Sequence, residues 1–344
     1  MTTRDRLSLG EGETPVLTLD AVASLCGLRE LWVKAEWLNP TGSYKDRIAV
    51  ETIRHALRRS ASGWLGTSSG NGGAAMSAYG ARAGLPGYLC VAANAPPEKL
   101  RSIAPYHTTV LAMSQLGLEE MEEISRLAVE YDLELAITAY RYNPEGMAGA
   151  EEIGDELLRQ GPFTHIYVPT GGGGLLTAVA RGLAQGTGRG PKLVCAQPAG
   201  CAPIVRHLAA ELDEPRIDAC DSAISGLQLA APPDGFLAAA AVQDSGGWGC
   251  AVADEASWDA QIVLARREGI FVEPASALAV AAIMQDVADG RLTATDRPLA
   301  VLTGTGLKDL GRFAPTPSLL VGPAGLGDLR ALLASSCGRS QTPI

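Results

Sequence analysis

The 344-residue sequence is poor in lysine and histidine and has an excess of acidic residues. Both features argue against whole classes of function. It holds only five lysines, and its formal net charge is -10. This acidic balance argues against nucleic acid or an anionic membrane surface as the main partner. The four histidines, His55, His107, His165 and His207, show no pair at helical spacing, so we expect no metal site.

Apolar runs of transmembrane length are also missing, and residues 1–10 are too polar for a signal peptide. The seven cysteines are odd in number and show no C-x-x-C spacing. We therefore expect a cytoplasmic protein that does not bind membranes and whose thiols are reduced, several of them packed in strands.

The length exceeds that of one typical domain and indicates two domains. Strand-like and helix-like segments alternate, which is typical of α/β proteins with parallel sheets covered by helices on both faces. The predicted strands are residues 31–36, 63–66, 88–92, 109–112, 133–138, 165–169, 192–197 and 299–302. The predicted helices are residues 44–59, 73–83, 98–104, 118–131, 175–185, 203–211, 255–268 and 275–287. Long loops are expected at residues 219–235 and 243–249, and residues 314–344 form a C-terminal tail that docks on the body or lacks order.

The segment Asn39-Pro40-Thr41-Gly42-Ser43-Tyr44-Lys45-Asp46-Arg47 carries one of the five lysines at the predicted start of a helix. The Pro-Thr-Gly-Ser run supplies a turn, and Ser43 could cap the helix. An amine placed at the mouth of a βα unit can form a Schiff base with an aldehyde. Lys45 is therefore a candidate catalytic residue, although a lysine in a first helical turn is more often simply solvated.

Three further segments rich in glycine and hydroxyl residues follow predicted strands. Gly171 to Gly174, followed by Leu175, would cradle a phosphate with backbone N–H groups at a helix N-terminus, and the spacing fits neither dinucleotide nor P-loop motifs. Thr303 would point its hydroxyl into the crevice at the carboxyl end of a strand. The cluster from Gly66 to Gly73 could hold a carboxylate at a helix N-terminus. Together with Lys45 they describe a site for pyridoxal phosphate and an amino acid.

In these residues the chain resembles the fold type II pyridoxal phosphate enzymes (the tryptophan synthase beta-like fold), and within them the threonine synthase branch. The resemblance spans residues 11–309, with six motifs in the family's order. They are Gly12-Glu13-Thr14-Pro15, the Asn39-to-Arg47 segment, Ser69-Gly70-Asn71, Gly171-to-Leu175, Glu273-Pro274-Ala275-Ser276-Ala277 and Thr303-to-Asp309.

The resemblance implies a role for each matching residue. Lys45 would bind the cofactor covalently, Asn71 would hydrogen-bond its phenolic oxygen, and Thr303 would face the pyridine nitrogen. The phosphate would lie against Gly171, Gly172, Gly173, Gly174 and Leu175. The substrate carboxylate would lie in the loop of Thr67, Ser68, Ser69 and Gly72. A neutral hydroxyl at the ring nitrogen favours elimination and replacement over transamination.

Two departures from the family pattern concern the second anion site, which a threonine synthase needs for the phosphate of O-phosphohomoserine. Ala148 and Gly149 stand where the family often has Lys-Thr, and Gln228 stands where it usually has arginine. Arg141 could still reach the anion from a few residues away.

Three functions therefore stay open. The first is a threonine synthase, a lyase that forms threonine and phosphate. The second is a diverged relative that catalyses β-replacement or β-elimination on phosphoserine, serine or threonine. The third, which Lys45 disfavours, is a non-catalytic binding protein.

The family's organisation implies a smaller mobile domain inserted into a larger one. Here the insert would be residues 60–149, and residues 1–59 with 150–313 would form the large cofactor-binding domain. The site would lie between the two domains, which could close on a bound substrate. We expect a homodimer whose ligand is a small amino acid.

Overall fold

The computed structural model describes residues 6–93, 95, 100–188, 190–313 and 325–337. The strands are β1 (Val16–Thr18), β2 (Trp32–Lys34), β3 (Gly63–Gly66), β4 (Gly87–Ala92), β5 (Thr109–Met113), β6 (Leu133–Leu135), β7 (His165–Pro169), β8 (Lys192–Pro198), β9 (Trp248–Val252) and β10 (Pro298–Val301). The helices are α1 (Asp20–Cys26), α2 (Lys45–Arg58), α3 (Asn71–Ala83), α4 (Leu118–Glu130), α5 (Pro144–Ala148), α6 (Glu152–Gln160), α7 (Gly174–Leu183), α8 (Pro203–Leu208), α9 (Gly235–Asp244), α10 (Asp254–Val263), α11 (Pro274–Ala288) and α12 (Leu326–Cys337).

The strands form two sheets, as the α/β prediction requires. The larger has the order β1-β2-β10-β7-β8-β9, and its neighbours are parallel except for the antiparallel pair β1 and β2. The smaller has the order β5-β4-β3-β6 and is wholly parallel. Parallel sheets need cover on both faces, and β3, β7 and β10 are accordingly buried along their whole lengths. The predicted fold class is confirmed.

Helices cover both faces of each sheet. On the larger sheet, α11 and α10 pack with α1 on one face, and α6, α7 and α9 pack on the other. On the smaller sheet, α2 and α3 pack on one face and α4 on the opposite face. The alanine-rich α11 is buried over most of its length because its small side chains let it approach the strands closely. The carboxyl ends of the parallel strands are therefore left as the open edges where loops can build a site.

The described residues fall into two compact units, one ending at Lys308 and one beginning at Asp309. Helix α12 belongs to the second unit, and its residues 326–331 are exposed. No helix in the described part of the chain is long and apolar enough to cross a membrane.

Several predicted elements differ from those observed. The loop predicted at residues 243–249 is wrong, because α9 continues to Asp244 and β9 begins at Trp248. The predicted strand 133–138 ends at Leu135. The elements that were not predicted are β1, α1, α5, α6, α9, β9 and α12. Residues 98 and 99 of the predicted helix 98–104 lie outside the described residues.

One expectation about the cysteines is also wrong. Cys201 and Cys220 form a disulfide, with Cα atoms 4.6 Å apart and 19 residues apart in sequence. Spacing along the chain could not reveal this pair, because Cys220 lies in the irregular segment after α8, which returns to Gly200 through the N–H of Asp221. Cys26, Cys90, Cys195 and Cys250 are free thiols, the last three of them buried.

Candidate active site

Lys45 is the first residue of α2, where the Pro40–Gly42 turn gives way to the helix. Its Nζ donates to the hydroxyl of Thr138, at 2.9 Å, and lies 4.6 Å from the centre of the Tyr44 ring. Ser43 does not cap α2, since no side-chain cap is formed there. Its backbone instead pairs with Gly304, and the N–H of Tyr44 donates to the carbonyl of Thr303, at 3.0 Å. These bonds fix the lysine motif against the end of β10.

The four glycines join β7 to the N-terminus of α7, and Gly171 and Gly173 leave no room for a side chain. A Cβ on Gly173, whose φ is +91°, would lie 2.6 Å from the carbonyl oxygen of Asp234. A Cβ on Gly171 would lie 2.9 Å from the carbonyl oxygen of Gly226. Only glycine suits such a loop, which presents its backbone N–H groups at a helix N-terminus as a phosphate requires. The side chain of Leu175 is buried in the core, so only its backbone can serve the site.

Asp234 fastens this glycine loop to a neighbouring segment. Its backbone N–H donates to the carbonyl of Gly172, at 2.9 Å. Its carboxylate accepts the backbone N–H groups of Tyr140, at 2.8 Å, and Arg141, at 3.1 Å. Burial raises the pKa of the Asp234 carboxyl, while these two N–H groups and the charges of Arg181 and Lys45 oppose the rise.

Thr138 lies where three predicted parts of the site meet. Besides bonding Lys45, its carbonyl oxygen is 3.6 Å from the position of a Cβ on Gly174. Its methyl group is 3.7 Å from the position of a Cβ on Gly72. The lysine, the glycine loop and the Ser68–Gly72 loop are therefore brought together around one residue.

The loop predicted to hold the substrate carboxylate runs from β3 to α3 over residues 67–70. Thr67, Ser68 and Ser69 are half-buried, and the hydroxyl of Ser68 accepts the N–H of Gly70, at 3.3 Å. A Cβ on Gly72 would lie 3.1 Å from the Ser68 hydroxyl. The loop thus offers hydroxyls and N–H groups at a helix N-terminus, which suits a carboxylate.

Thr303 and Asn71 meet at a carboxylate. The Thr303 hydroxyl lies 2.8 Å from that of Ser276 and 3.2 Å from Oε1 of Glu273. The amide of Asn71 donates to Oε2 of Glu273, at 2.9 Å. Thr303 is only 5 % exposed, so these contacts decide which way its hydroxyl points. The carboxylate of Glu273 therefore lies directly behind the neutral Thr303 hydroxyl, which we expect to face the pyridine nitrogen.

Lys308 and Asp46 complete this end of the site. Lys308 donates to Oδ1 of Asn71, at 3.2 Å. Asp46 accepts the backbone N–H of Thr41, at 2.7 Å, and burial raises its pKa to about 6. Burial lowers the pKa of Lys308, against the attraction of Asp46 and Glu273.

Arg141 lies elsewhere. Its guanidinium donates to Glu122 of α4, at 2.8 Å, with both side chains about half exposed. It lines an open cavity of about 420 Å³ with His55, Arg59, Glu122 and Tyr142, and neither Lys45 nor the glycine loop is among the described residues that line it. Gln228 donates to the carbonyl of Ser222. Only the backbone N–H of Arg141 faces the site, through Asp234.

Four residues of the site were not predicted. Thr138 could have been found, because it is a hydroxyl at the end of the predicted strand 133–138, a signal close to the one that singled out Thr303. Glu273 and Lys308 stand within recognised motifs but received no role. Asp234 follows Pro232 and Pro233 in a predicted loop, where an aspartate is read as an ordinary turn residue.

A buried ionic cluster holds α2 in place behind Lys45. Arg47 donates to both oxygens of Glu36, at 2.9 Å each, and to both oxygens of Glu156, at 2.6 and 2.9 Å. Lys34 donates to Glu156 and to the carbonyl of Thr14. These side chains are almost fully buried, so their charges are compensated by one another rather than by water.

These features fit pyridoxal phosphate. The glycine loop has the space and the N–H groups for the phosphate, and the amine of Lys45 is held nearby through Thr138. Asn71 and Thr303 lie close together on either side of Glu273. Two groups that bind different positions of one ring must lie close together in this way.

A family model described as "Pyridoxal-phosphate dependent enzyme" matches residues 7–304. Among curated proteins, the threonine synthase of Halalkalibacterium halodurans is 32% identical over 315 residues, which is 88% of this chain and 84% of that protein. The threonine synthase of Methanosarcina acetivorans is 30% identical over 318 residues, 89% of this chain and 77% of that protein.

Solved structures share the fold. Maize serine racemase superposes with a TM-score of 0.74 at 23% identity, covering 94% of this chain and 92% of that one. Threonine deaminase isoform 2 of Solanum lycopersicum has a TM-score of 0.74 at 18% identity, covering 88% of this chain and 83% of that one.

Proposed function

Because the chain belongs to the family of pyridoxal-phosphate-dependent enzymes, with a fold type II architecture, we propose that it is a lyase that acts on a small amino acid. Its cofactor is pyridoxal 5'-phosphate. The reaction we favour is that of threonine synthase, from O-phosphohomoserine to threonine and phosphate. The observation that carries the proposal is that Lys45, Thr138 and the glycine loop lie together. They do so in a chain that is about 30% identical to threonine synthases over nearly nine-tenths of its length.

When bound, pyridoxal phosphate withdraws electrons from the substrate and makes its Cα proton acidic. Lys45 would hold the cofactor and move protons at Cα with its Nζ. The Thr138 hydroxyl, 2.9 Å from Nζ, would keep the amine aimed at the reacting carbon. Gly171 to Gly174 and the backbone of Leu175 would bind the phosphate, and Asp234 would hold this loop in shape.

Asn71 would donate to the phenolic oxygen, and Thr303 would face the ring nitrogen. Because Thr303 brings no charge of its own, it would favour elimination and replacement over transamination. Thr67, Ser68, Ser69 and Gly72 would orient the substrate through its carboxylate. The smaller domain (60–149) would carry this loop over the substrate and exclude water.

One observation favours a second candidate. A dianionic phosphate in a closed site needs Arg or Lys partners. Arg141 is paired with Glu122 outside the site, and Gln228 bonds Ser222. These pairings suit a diverged enzyme that performs β-replacement or β-elimination on phosphoserine, serine or threonine.

The test is an assay of phosphate, ammonia and oxoacid release from O-phosphohomoserine, O-phosphoserine, serine and threonine. Threonine formation from O-phosphohomoserine supports the first candidate. Ammonia and oxoacid from serine or threonine, without threonine formation, support the second. No turnover of any of them would sink the proposal.

Covalent attachment is tested separately by borohydride reduction and peptide mapping. We expect the pyridoxyl label on Lys45, and Lys45→Ala should abolish both the label and turnover. A label on Lys34, Lys99, Lys192 or Lys308 would contradict the assignment.

Arg141 decides between the candidates. If the first holds, Arg141 must leave Glu122 on closure, and Arg141→Ala should raise the KM for O-phosphohomoserine far more than that for a substrate without phosphate. Arg126 of the same exposed region is the matched control, since it pairs with Glu123. Efficient threonine formation that is unaffected in Arg141→Ala would mean that another group binds the anion. Homodimer formation and cytoplasmic location stay predictions.

A further inference from the structure

The amide of Asn71 is held from both ends. Its Oδ1 lies 3.2 Å from Nζ of Lys308, and its Nδ2 lies 2.9 Å from Oε2 of Glu273. An ammonium can only donate and a carboxylate can only accept. The two neighbours therefore allow a single orientation of the amide, with the oxygen toward Lys308 and the NH₂ toward Glu273.

That orientation matters because Asn71 carries two N–H groups. One donates to Glu273, and the other is the group that would donate to the cofactor's phenolic oxygen. If the amide turned over, it would present its oxygen to the phenolic oxygen and would repel it. A residue that prevents this turn controls cofactor binding without touching the cofactor.

Lys308 is well placed for this task. It is half-buried in the turn after β10, where burial lowers its pKa and the attraction of Asp46 and Glu273 opposes that lowering. Gly42, with φ +84°, lets the lysine motif approach this turn, since a Cβ there would lie 2.7 Å from the methyl group of Thr305, and Cε of Lys308 is 3.6 Å from the same position. The lysine motif and the Thr303-to-Lys308 turn therefore pack together beside Lys308, and the N–H of Thr305 donates to the carbonyl of Gly42, at 2.9 Å.

We propose that Lys308 is a positioning residue that fixes the amide of Asn71 for binding of the cofactor's phenolic oxygen. The inference rests on the proposed role of Asn71. It assigns Lys308 a task other than binding the substrate's phosphate, because its Nζ donates to the amide oxygen of Asn71.

The experiment is a double-mutant cycle on cofactor affinity, measured by fluorescence titration of the apoprotein with pyridoxal 5'-phosphate alone. Lys308→Met should weaken binding about tenfold, as expected for the loss of one hydrogen bond to a charged group. Asn71→Ala should weaken it by a similar factor. The double variant should bind about as Asn71→Ala does, because Lys308 then has no amide to orient. Lys192→Met, at the start of β8, is the control and should bind as the wild type.

A spectroscopic readout separates positioning from a general structural effect. Lys308→Met should shift the absorption maximum of the bound cofactor in the same direction as Asn71→Ala, and Lys308→Arg should restore it in part. Effects that multiply in the double variant, or a Lys308→Met protein with unchanged affinity and spectrum, would overturn the proposal. If Lys308→Met does not fold, the same cycle with Lys308→Gln, which keeps an N–H donor, should show a smaller loss than Asn71→Ala. A loss as large as that of Asn71→Ala would count against it.

Both measurements are made without an amino acid. A protein that forms no threonine can therefore still satisfy them, and failure of the cycle leaves the assignment of the reaction untouched.

Discussion

At the scale of single residues, the site is a set of polar groups whose neighbours decide what they can do. Thr303 illustrates this, because its hydroxyl lies between Ser276 and Glu273. Sequence motifs identified the hydroxyl, but the carboxylate behind it limits which charges can be added nearby.

Thr303→Asp should make the absorption spectrum of the bound cofactor depend on pH across the neutral range. The new carboxylate would lie beside Glu273, and two carboxylates in contact do not both ionise readily, so one retains a proton. Spectra of the purified holoenzyme at several pH values test this. Thr303→Ser, which keeps the hydroxyl, is the control, and a Thr303→Asp spectrum that matches it at every pH would contradict the placement.

Asp46 should make the protein less stable as the pH rises. Its pKa is raised by burial from 3.8 to about 6, so the protonated form favours the folded state. Its contribution is fully present below 3.8 and is lost as the pH rises through about 6. Denaturant titrations should show that the wild type loses about 3 kcal/mol relative to Asp46→Asn over that window, at about 1.4 kcal/mol per pKa unit. Parallel pH profiles for the two proteins would refute this.

At the scale of elements, function depends on the connections between strands and helices. The glycine loop between β7 and α7 is shaped by Asp234, which bonds the loop on one side and the segment at Tyr140 on the other. The loop is therefore held as part of the packed structure rather than as a free connection.

Gly173→Ala should weaken cofactor binding and destabilise the fold by more than about 1 kcal/mol, the minimum cost of a left-handed backbone for alanine. The added Cβ would also lie 2.6 Å from the carbonyl oxygen of Asp234, which cannot move without disturbing the loop. Gly27→Ala is the matched control, because φ is +72° there and no atom lies within 4 Å of its Cβ position. Thermal unfolding and cofactor titration of both variants give the comparison. Equal losses of stability with unchanged cofactor affinity would show that the clash is relieved.

At the scale of the whole molecule, the buried ionic cluster joins the N-terminal segment, β2, α2 and α6. Arg47 is 1 % exposed and Glu156 is 2 % exposed, so removal of either partner leaves charges that water cannot reach. The cluster fixes the helix that begins at Lys45 relative to the larger sheet.

Arg47→Met should lower the free energy of unfolding by about 3 to 5 kcal/mol, because Glu36 and Glu156 would lose their main partner in the interior. Arg126→Met should change it by less than about 1 kcal/mol, since that arginine forms an exposed pair with Glu123. Urea titrations of the two variants test the contrast. A loss in Arg47→Met no larger than that in Arg126→Met would show that the cluster is not a net contributor.

The sequence by itself determined the fold class, the cofactor family and the individual parts of the site. Alternating apolar segments and glycine-rich turns are local signals, and Lys45, Asn71, Gly171 to Gly174 and Thr303 stand in motifs that are read along the chain. It did not reveal the residues that join these parts. Thr138 meets Lys45 across 93 positions, Glu273 meets Asn71 across 202, and Lys308 meets Asn71 across 237.

Only the tertiary structure decided these contacts, because they form where the ends of strands from distant segments are packed together. The same reason explains Arg141 and the disulfide. Arg141 pairs with Glu122, and Cys220 pairs with Cys201, each from a different part of the fold. The spacing along the chain does not predict which side chain will lie opposite. Residue types and local periodicity determine what each segment is, and the packing of the two sheets determines which neighbour sets its chemistry.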